Sequence, residues 1–174
     1  AHATAPSALL HPPPPPHARA AASYGRTMQR PHNKRQVNRD QIAPALSRRK
    51  MHYRHMPGRG GLRRAQPDSA NVGWRNASFR GYADYMQTSG FDDSLAACID
   101  LAKQERVVLM CAEAVPWRCH RSLIADALLA RGIDAREITS RIRTRPHSLT
   151  PFARVTGTHF AYPARECPSH PRAR

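Results

Sequence analysis

Residues 106–126 read RVVLMCAEAVPWRCHRSLIAD, and this segment predicts a β-strand, a polar loop and the beginning of an α-helix. The run 106–110 is apolar and rich in β-branched residues, as buried strands are. After the loop, apolar side chains recur at helical spacing up to residue 131. Ligands of α/β proteins bind beyond the carboxyl ends of the strands. The loop between this strand and helix is therefore where we expect a site.

Elements of similar type are predicted on both sides of this segment. We expect a short helix after Asn38, strands over 51–56 and 133–138, a helix over 77–87 and a helix capped by Asp92 or Asp93. Helices that alternate with strands are typical of a parallel sheet covered by helices. The sequence thus predicts a small Rossmann-like three-layer α/β domain with a short parallel sheet.

The two ends of the chain differ from this pattern. Residues 1–23 are mainly Ala, Pro and His, with five consecutive prolines at 12–16, which favour polyproline II over a packed element. We interpret residues 1–35 as a disordered, low-complexity N-terminus, residues 36–163 as the α/β domain and residues 164–174 as a flexible tail.

Charge and composition restrict the partners. The chain has a formal net charge of +16, and residues 1–73 hold 13 of the 28 Lys and Arg residues but only two of the 12 acidic ones. So basic a chain is expected to meet anions such as a nucleotide or a nucleic acid. Four cysteines do not make a disulfide framework in a chain of this size. With no apolar run that could span a membrane and no signal peptide, a cytoplasmic protein without a membrane partner is expected.

Nucleophilic catalysis is one interpretation of the central loop. Cys119 or Cys111 would be the thiolate nucleophile, and His120 or Glu113 would carry the proton. A helix N-terminus and neighbouring arginines both favour the thiolate form. These four residues are the candidate catalytic groups, although the residues do not establish that the protein is an enzyme.

Anion binding is the interpretation that we favour. The free N–H groups at the start of the helix, together with arginines, form a ready site for phosphate. A second polar segment, residues 59–76, follows a predicted parallel strand and should lie at the same sheet edge. The candidate ligand-binding residues are Arg63, Arg64, Trp74, Arg75, Asn76, Arg118, Arg121 and Ser122.

A Cys/His metal module is a third interpretation. Two thiols and one imidazole in the loop offer soft ligands, and a histidine at position 52, 55 or 147 could complete a tetrahedron. Zinc ligands are usually separated by two to four residues, whereas seven separate the two cysteines here. We therefore predict no metal ligands, and the cofactor stays unknown. All of these residues also have ordinary structural roles available, as core, capping or loop residues.

Several segments together resemble a known bacterial family, domain of unknown function 488. The resemblance rests on LMCAEAVPWRCHRSLIADALLARGI (109–133), with its Cys-Ala-Glu loop followed by Cys-His-Arg-Ser. The segments GGLR (60–63), NVGWRN (71–76) and FRGYADYM (79–86) are similar to the middle of the same family. The resemblance extends from about Asn38 to Pro163. It implies a small α/β fold with a parallel sheet, and it implies no established activity.

The N-terminal part departs from the family pattern. Family members open with a β-strand, and this strand is not recognisable here, so we expect the first strand of the sheet to be missing. Its absence would expose the hydrogen-bonding edges of neighbouring strands and make the chain less stable than its relatives. A degenerate product without activity is accordingly a further alternative.

Overall fold

The computed structural model describes residues 9–10, 20–24, 39–111, 119–140 and 142–164. Four α-helices, one 3-10 turn and eight strands occur within these ranges. The helical elements are α1 (Arg39–Ser47), the 3-10 turn Pro57–Arg59, α2 (Ala77–Tyr85), α3 (Ser89–Gln104) and α4 (Arg121–Leu129). The strands are β1 (Leu9–Leu10), β2 (Ala20–Tyr24), β3 (His52–His55), β4 (Arg106–Met110), β5 (Ala135–Ile138), β6 (Thr144–Pro146), β7 (Arg154–Thr156) and β8 (His159–Ala161).

The main sheet is mixed. Among the described residues it has six strands in the order β3-β2-β4-β1-β5-β6. Strand β2 runs parallel to β3 and β4, whereas β1 is antiparallel to β4 and β5, and β6 is antiparallel to β5. The predicted α/β class is confirmed, but a wholly parallel sheet is not what forms. The antiparallel β1 and β6 are only two and three residues long, too short for a period-two pattern to be recognised in the sequence.

Strand β2 bears on two expectations about the N-terminal segment. It occupies an interior position of the sheet, with Ala22 in register with Tyr53 on one side and with Val108 on the other. Strands β1 and β2 lie within residues 1–35, which were expected to be disordered, and β2 stands between β3 and β4 in a sheet whose first strand was expected to be missing. Three of its five residues are alanine, which is depleted in strands, so neither composition nor pattern indicated a strand.

Helix ends follow local chemistry, with one correction. The Asn76 side chain accepts hydrogen bonds from the amides of residues 78 and 79 and so caps α2. Helix α3 is capped by Thr88, whose side chain accepts from the Phe91 amide, and not by Asp92 or Asp93. Gly132 has φ +71° just beyond α4, the left-handed conformation typical of a glycine that ends a helix.

One hydrophobic core joins the helices to the sheet. It combines residues of α2, α3, β4, α4, β5 and β8, and Tyr162 beyond β8 belongs to it as well. Close backbone packing tightens it, because a Cβ atom on Gly81 of α2 would lie 2.6 Å from the carbonyl oxygen of Arg63. No helix within the described ranges is long and apolar enough to cross a membrane.

Candidate functional site

Two cysteines and a histidine meet where β4 ends and α4 begins. Cys111 directly follows β4, and Cys119 and His120 directly precede α4. The ligand atoms of these three side chains lie within 4.8 Å of one another, and Cys119 Sγ lies 3.7 Å from His120 Nδ1. We call these three residues the thiol cluster. The sequence predicted each of them as a site residue, and the fold brings them together.

The environment of Cys119 disfavours a free thiolate. Its side chain is 1% exposed. A hydrogen bond with Cys111 and burial together raise the pKa of the Cys119 thiol, and the nearby Arg121 charge opposes them without cancelling them. The helix N-terminus and the arginines were expected to lower this pKa, whereas the hydrogen bond with Cys111 and burial together outweigh them. A nucleophile that acts as a preformed thiolate at Cys119 is therefore poorly supported.

The remaining predicted residues of the loop divide into two groups. Glu113 and Arg118 lie outside the described residues, so their roles stay predictions. Arg121 is buried in the first turn of α4, close enough to Cys119 to act on its titration. The Ser122 hydroxyl donates to the Cys119 carbonyl oxygen over 2.9 Å and thereby bonds to the turn that precedes α4.

The predicted residues of the 59–76 segment are spread over several environments. Arg64 and Arg75 are exposed, and Asn76 is the cap of α2. The Trp74 ring packs against three aromatic rings, with centroid distances of 4.8 Å to Phe79, 4.9 Å to Phe152 and 5.6 Å to Tyr162. Asn76 and Trp74 thus have structural contacts, and the structure does not bring the predicted binding residues of this segment together at one site.

Two buried side chains, Arg59 and Tyr82, and the half-buried Arg63 lie next to the thiol cluster and were not expected from the sequence as a group. Arg59, Arg63 and Tyr82, the donor cluster, each have a buried polar atom that has no hydrogen-bond partner among the described residues: Nη1, Nε and the hydroxyl oxygen, respectively. Arg59 is 3% exposed, and its Nη2 donates to the Ser94 carbonyl oxygen over 3.1 Å.

Ring packing and charge place the donor cluster beside the thiol cluster. Tyr82 is fully buried, and its ring centroid lies 4.9 Å from that of His120. Burial raises the pKa of Tyr82, and a nearby Cys119 thiolate would raise it further. The charges of Arg59 and Arg63 act in the opposite direction and lower it. The guanidinium carbon of Arg63 lies 3.8 Å from the ring centroid of Tyr85. Of this group, only Arg63 was a predicted site residue. Arg59 and Tyr82 were not predicted, because a local sequence pattern does not reveal which arginine or tyrosine becomes buried.

A separate cavity of about 390 Å³ lies beside β5 and β6. It is lined by Trp74, Ser122, Glu137, Arg145, Pro146, His147, Ser148, Thr150, Pro151 and Phe152. Two predicted binding residues, Trp74 and Ser122, share this lining. The other predicted residues that the structure describes do not contribute to it.

A buried ion network borders this cavity. His147 lies between two carboxylates, with Nε2 2.8 Å from Asp126 Oδ1 and Nδ1 3.0 Å from Glu137 Oε1. Asp126 also accepts from the Tyr162 hydroxyl over 3.0 Å. His147 was considered as a fourth metal ligand with the thiol cluster, and this interpretation is wrong because both of its ring nitrogens are engaged here. His52 and His55 do not join the thiol cluster either.

Comparison with known proteins agrees with the motifs of the central loop. Neither the curated proteins nor the solved structures include a match to this chain. A family model described as "Domain of unknown function DUF488" matches residues 25–128, which include β3, the donor cluster, the thiol cluster and most of α4. The matched region covers more than half of the chain, and the protein therefore belongs to the DUF488 family.

Proposed function

We propose that the protein binds a phosphate-bearing small molecule, such as a nucleotide, through the donor cluster beside the start of α4. One observation carries the proposal. Three buried donor atoms, Arg59 Nη1, Arg63 Nε and the Tyr82 hydroxyl, have no hydrogen-bond partner among the described residues. Buried polar groups in folded proteins nearly always have partners, and a group without one calls for an explanation.

The charge balance of the cluster favours an anion as that partner. Among the described residues, no carboxylate forms an ion pair with Arg59 or Arg63. A buried cation without a counter-charge is costly, and an anionic ligand would remove that cost. Guanidinium groups present their N–H donors in a planar fork that matches phosphate oxygens.

The size of the cluster favours one phosphoryl group over an extended strand. Proteins that follow a nucleic-acid strand use a long, open, positively charged groove with exposed aromatic rings. Here the donors are few and covered, and Trp74, a predicted binding residue, packs against three other aromatic side chains. A terminal phosphate, of a nucleotide or at the end of a nucleic acid, is the ligand chemistry that such a site fits.

Isothermal titration of the purified full chain with inorganic phosphate, with AMP and with a 5′-phosphorylated oligonucleotide tests the proposal. Tyr82→Phe is the sharpest variant, since it removes only a hydroxyl that has no partner in the part of the chain that the structure describes. We expect its free energy of unfolding to be unchanged or higher, and its affinity for phosphate to fall. Arg63→Ala should weaken binding about 10- to 150-fold, as a hydrogen bond to a charged group is worth about 1.5–3 kcal/mol.

Arg49→Ala is the matched control, because Arg49 is exposed after α1 and lies outside the cluster. Its affinity for phosphate should equal that of the parent protein. If the folded parent protein binds none of the three probes, or if Tyr82→Phe and Arg63→Ala bind them as the parent does, the proposal is wrong. Binding of the oligonucleotide alone would assign the phosphate to the end of a nucleic acid.

A further inference from the structure

The thiol cluster has the composition and the spacing of a metal-binding site. It offers two sulfur atoms and one imidazole nitrogen, all within 4.8 Å of one another. Zinc binds cysteine sulfur at about 2.3 Å and histidine nitrogen at about 2.0–2.1 Å in a tetrahedron. Ligand atoms in such a tetrahedron lie roughly 3.6–3.8 Å apart, and Cys119 Sγ and His120 Nδ1 are already 3.7 Å apart.

We propose that Cys111, Cys119 and His120 Nδ1 hold one thiophilic divalent cation of the Zn²⁺ type, at the junction of β4 and α4. The inference is independent of phosphate binding by the donor cluster. Thiolate and imidazole together select zinc-like ions over Mg²⁺ or Ca²⁺, which prefer oxygen. Three protein ligands leave one tetrahedral position for a further ligand, which is the arrangement of zinc sites that bind substrate or water.

Gly61 lies close to the imidazole nitrogen of His120 that would bind the ion. A Cβ atom at position 61 would lie 2.1 Å from His120 Nδ1 and 2.6 Å from the next ring carbon, Cε1. A side chain there would overlap the same nitrogen that faces Cys119. Glycine at position 61 therefore keeps the approach to this nitrogen free, in a loop where its own φ does not demand glycine.

Binding has a defined proton balance. Each cysteine binds as the thiolate, so uptake of one divalent ion by two thiols releases two protons and forms two metal–sulfur bonds, with no change of oxidation state. The two thiolates balance the charge of the divalent ion, so the occupied site adds no net charge beside Arg121 and the Tyr82 ring.

Titration of the reduced full chain with Co²⁺ tests the inference without any phosphate present. We expect an intense thiolate-to-cobalt charge-transfer band that saturates at one ion per chain, and loss of this band when Zn²⁺ displaces the cobalt. Circular dichroism before each titration establishes that the variant is folded. Cys119→Ser and Cys111→Ser should each lose the band, and His120→Ala should lose its tetrahedral intensity.

Two further variants separate a ligand role from a packing role. Cys98→Ala is the matched control, because Cys98 is a buried cysteine of α3 outside the thiol cluster, and it should bind Co²⁺ as the parent does. Gly61→Ala removes no ligand and should weaken binding about 10- to 100-fold, as disruption of supporting contacts does at other metal sites. A folded, reduced parent chain that takes up no Co²⁺, or a band that persists in Cys119→Ser, would overturn the inference.

Discussion

At the scale of single residues, the buried carboxylate of Asp126 depends on the donors that surround it. Asp126 is fully buried and accepts hydrogen bonds from His147, from the Thr150 amide and from the Tyr162 hydroxyl. A buried carboxylate is tolerated only when its lone pairs are met by donors, as they are here. The network ties α4 to the C-terminal part of the chain.

The protonation of His147 makes this network sensitive to pH. Burial opposes the charge on the ring, but the hydrogen bonds to Asp126 and Glu137 and the charges of both carboxylates outweigh burial and raise the pKa of His147. A group whose pKa is raised in the folded state contributes its stability fully below the unfolded pKa, about 6.5 for histidine. This contribution is lost as the pH rises through the folded pKa.

We therefore predict that the free energy of unfolding falls above about pH 6.5 through the deprotonation of His147. Urea unfolding of the parent chain and of His147→Gln over a series of pH values measures this contribution as their difference. The difference should be largest on the acidic side and shrink towards alkaline pH. His159→Gln, at an exposed histidine, should follow the parent curve; a constant difference for His147→Gln would contradict the prediction.

Capping residues set the boundaries at the scale of the helices. The sequence pattern placed the start of α3 at Asp92 or Asp93, because acidic residues are common caps. In the structure the helix begins a turn earlier, at Thr88, and the Asp92 carboxylate instead forms an ion pair with Arg131 over 2.6 Å. Thr, Asp and Ser are all good caps, so the sequence between 88 and 93 offered several equivalent starts.

Replacement of the cap distinguishes these starts. Thr88→Ala should lower the free energy of unfolding by about 0.5–2 kcal/mol, because the first turn of α3 loses the side-chain acceptor that caps it at the Phe91 amide. Asp93→Ala is the control, since Asp93 is exposed within the helix, and its effect should stay within about 0.5 kcal/mol. Both values come from urea denaturation followed by circular dichroism. A larger loss for Asp93→Ala than for Thr88→Ala would show that the cap is misassigned.

The strands show a different limit to prediction from the sequence. Strand β4 was predicted with its exact residues, since Val and Leu in a short apolar run are typical of a buried strand. Strand β2, beside it in the sheet, consists mainly of alanine, a residue more typical of helices. Its hydrogen bonds to β3 and β4 are formed by backbone groups, which every residue type except proline provides, so the side-chain pattern does not predict them.

Contacts between distant segments hold the whole molecule together. Residues after the family match at 128 are integral to the core, since Phe160 and Tyr162 are buried in it. Asn71 connects the two regions: its side-chain amide donates to Asp84 over 2.7 Å, and its oxygen accepts from the Tyr162 amide over 2.9 Å. The family match and the folded unit therefore do not end at the same residue.

Loss of the Asn71 side chain should weaken the whole fold. Asn71→Ala leaves the buried Tyr162 amide without its acceptor, which costs about 1–3 kcal/mol, and removes one of three donors to the Asp84 carboxylate. We expect the free energy of unfolding to fall by about 2–4 kcal/mol in a single urea transition. Asp68→Ala, at an exposed position of the same loop, should change it by less than about 0.5 kcal/mol. A near-parent value for Asn71→Ala would mean that the C-terminal part contributes little to the core.

Local patterns in the chain were sufficient for β3, β4, β5, α2, α4 and the strand–loop–helix position of the cysteines, because side-chain periodicity and capping act over a few residues. They were also sufficient for the family. Tertiary structure alone decided that β1 runs antiparallel between β4 and β5, that Arg59 is buried while Arg64 is exposed, and that His147 pairs with Asp126 rather than with the cysteines. Burial and pairing depend on residues far apart in the chain, so the same arginine or histidine has a different chemistry in each possible fold.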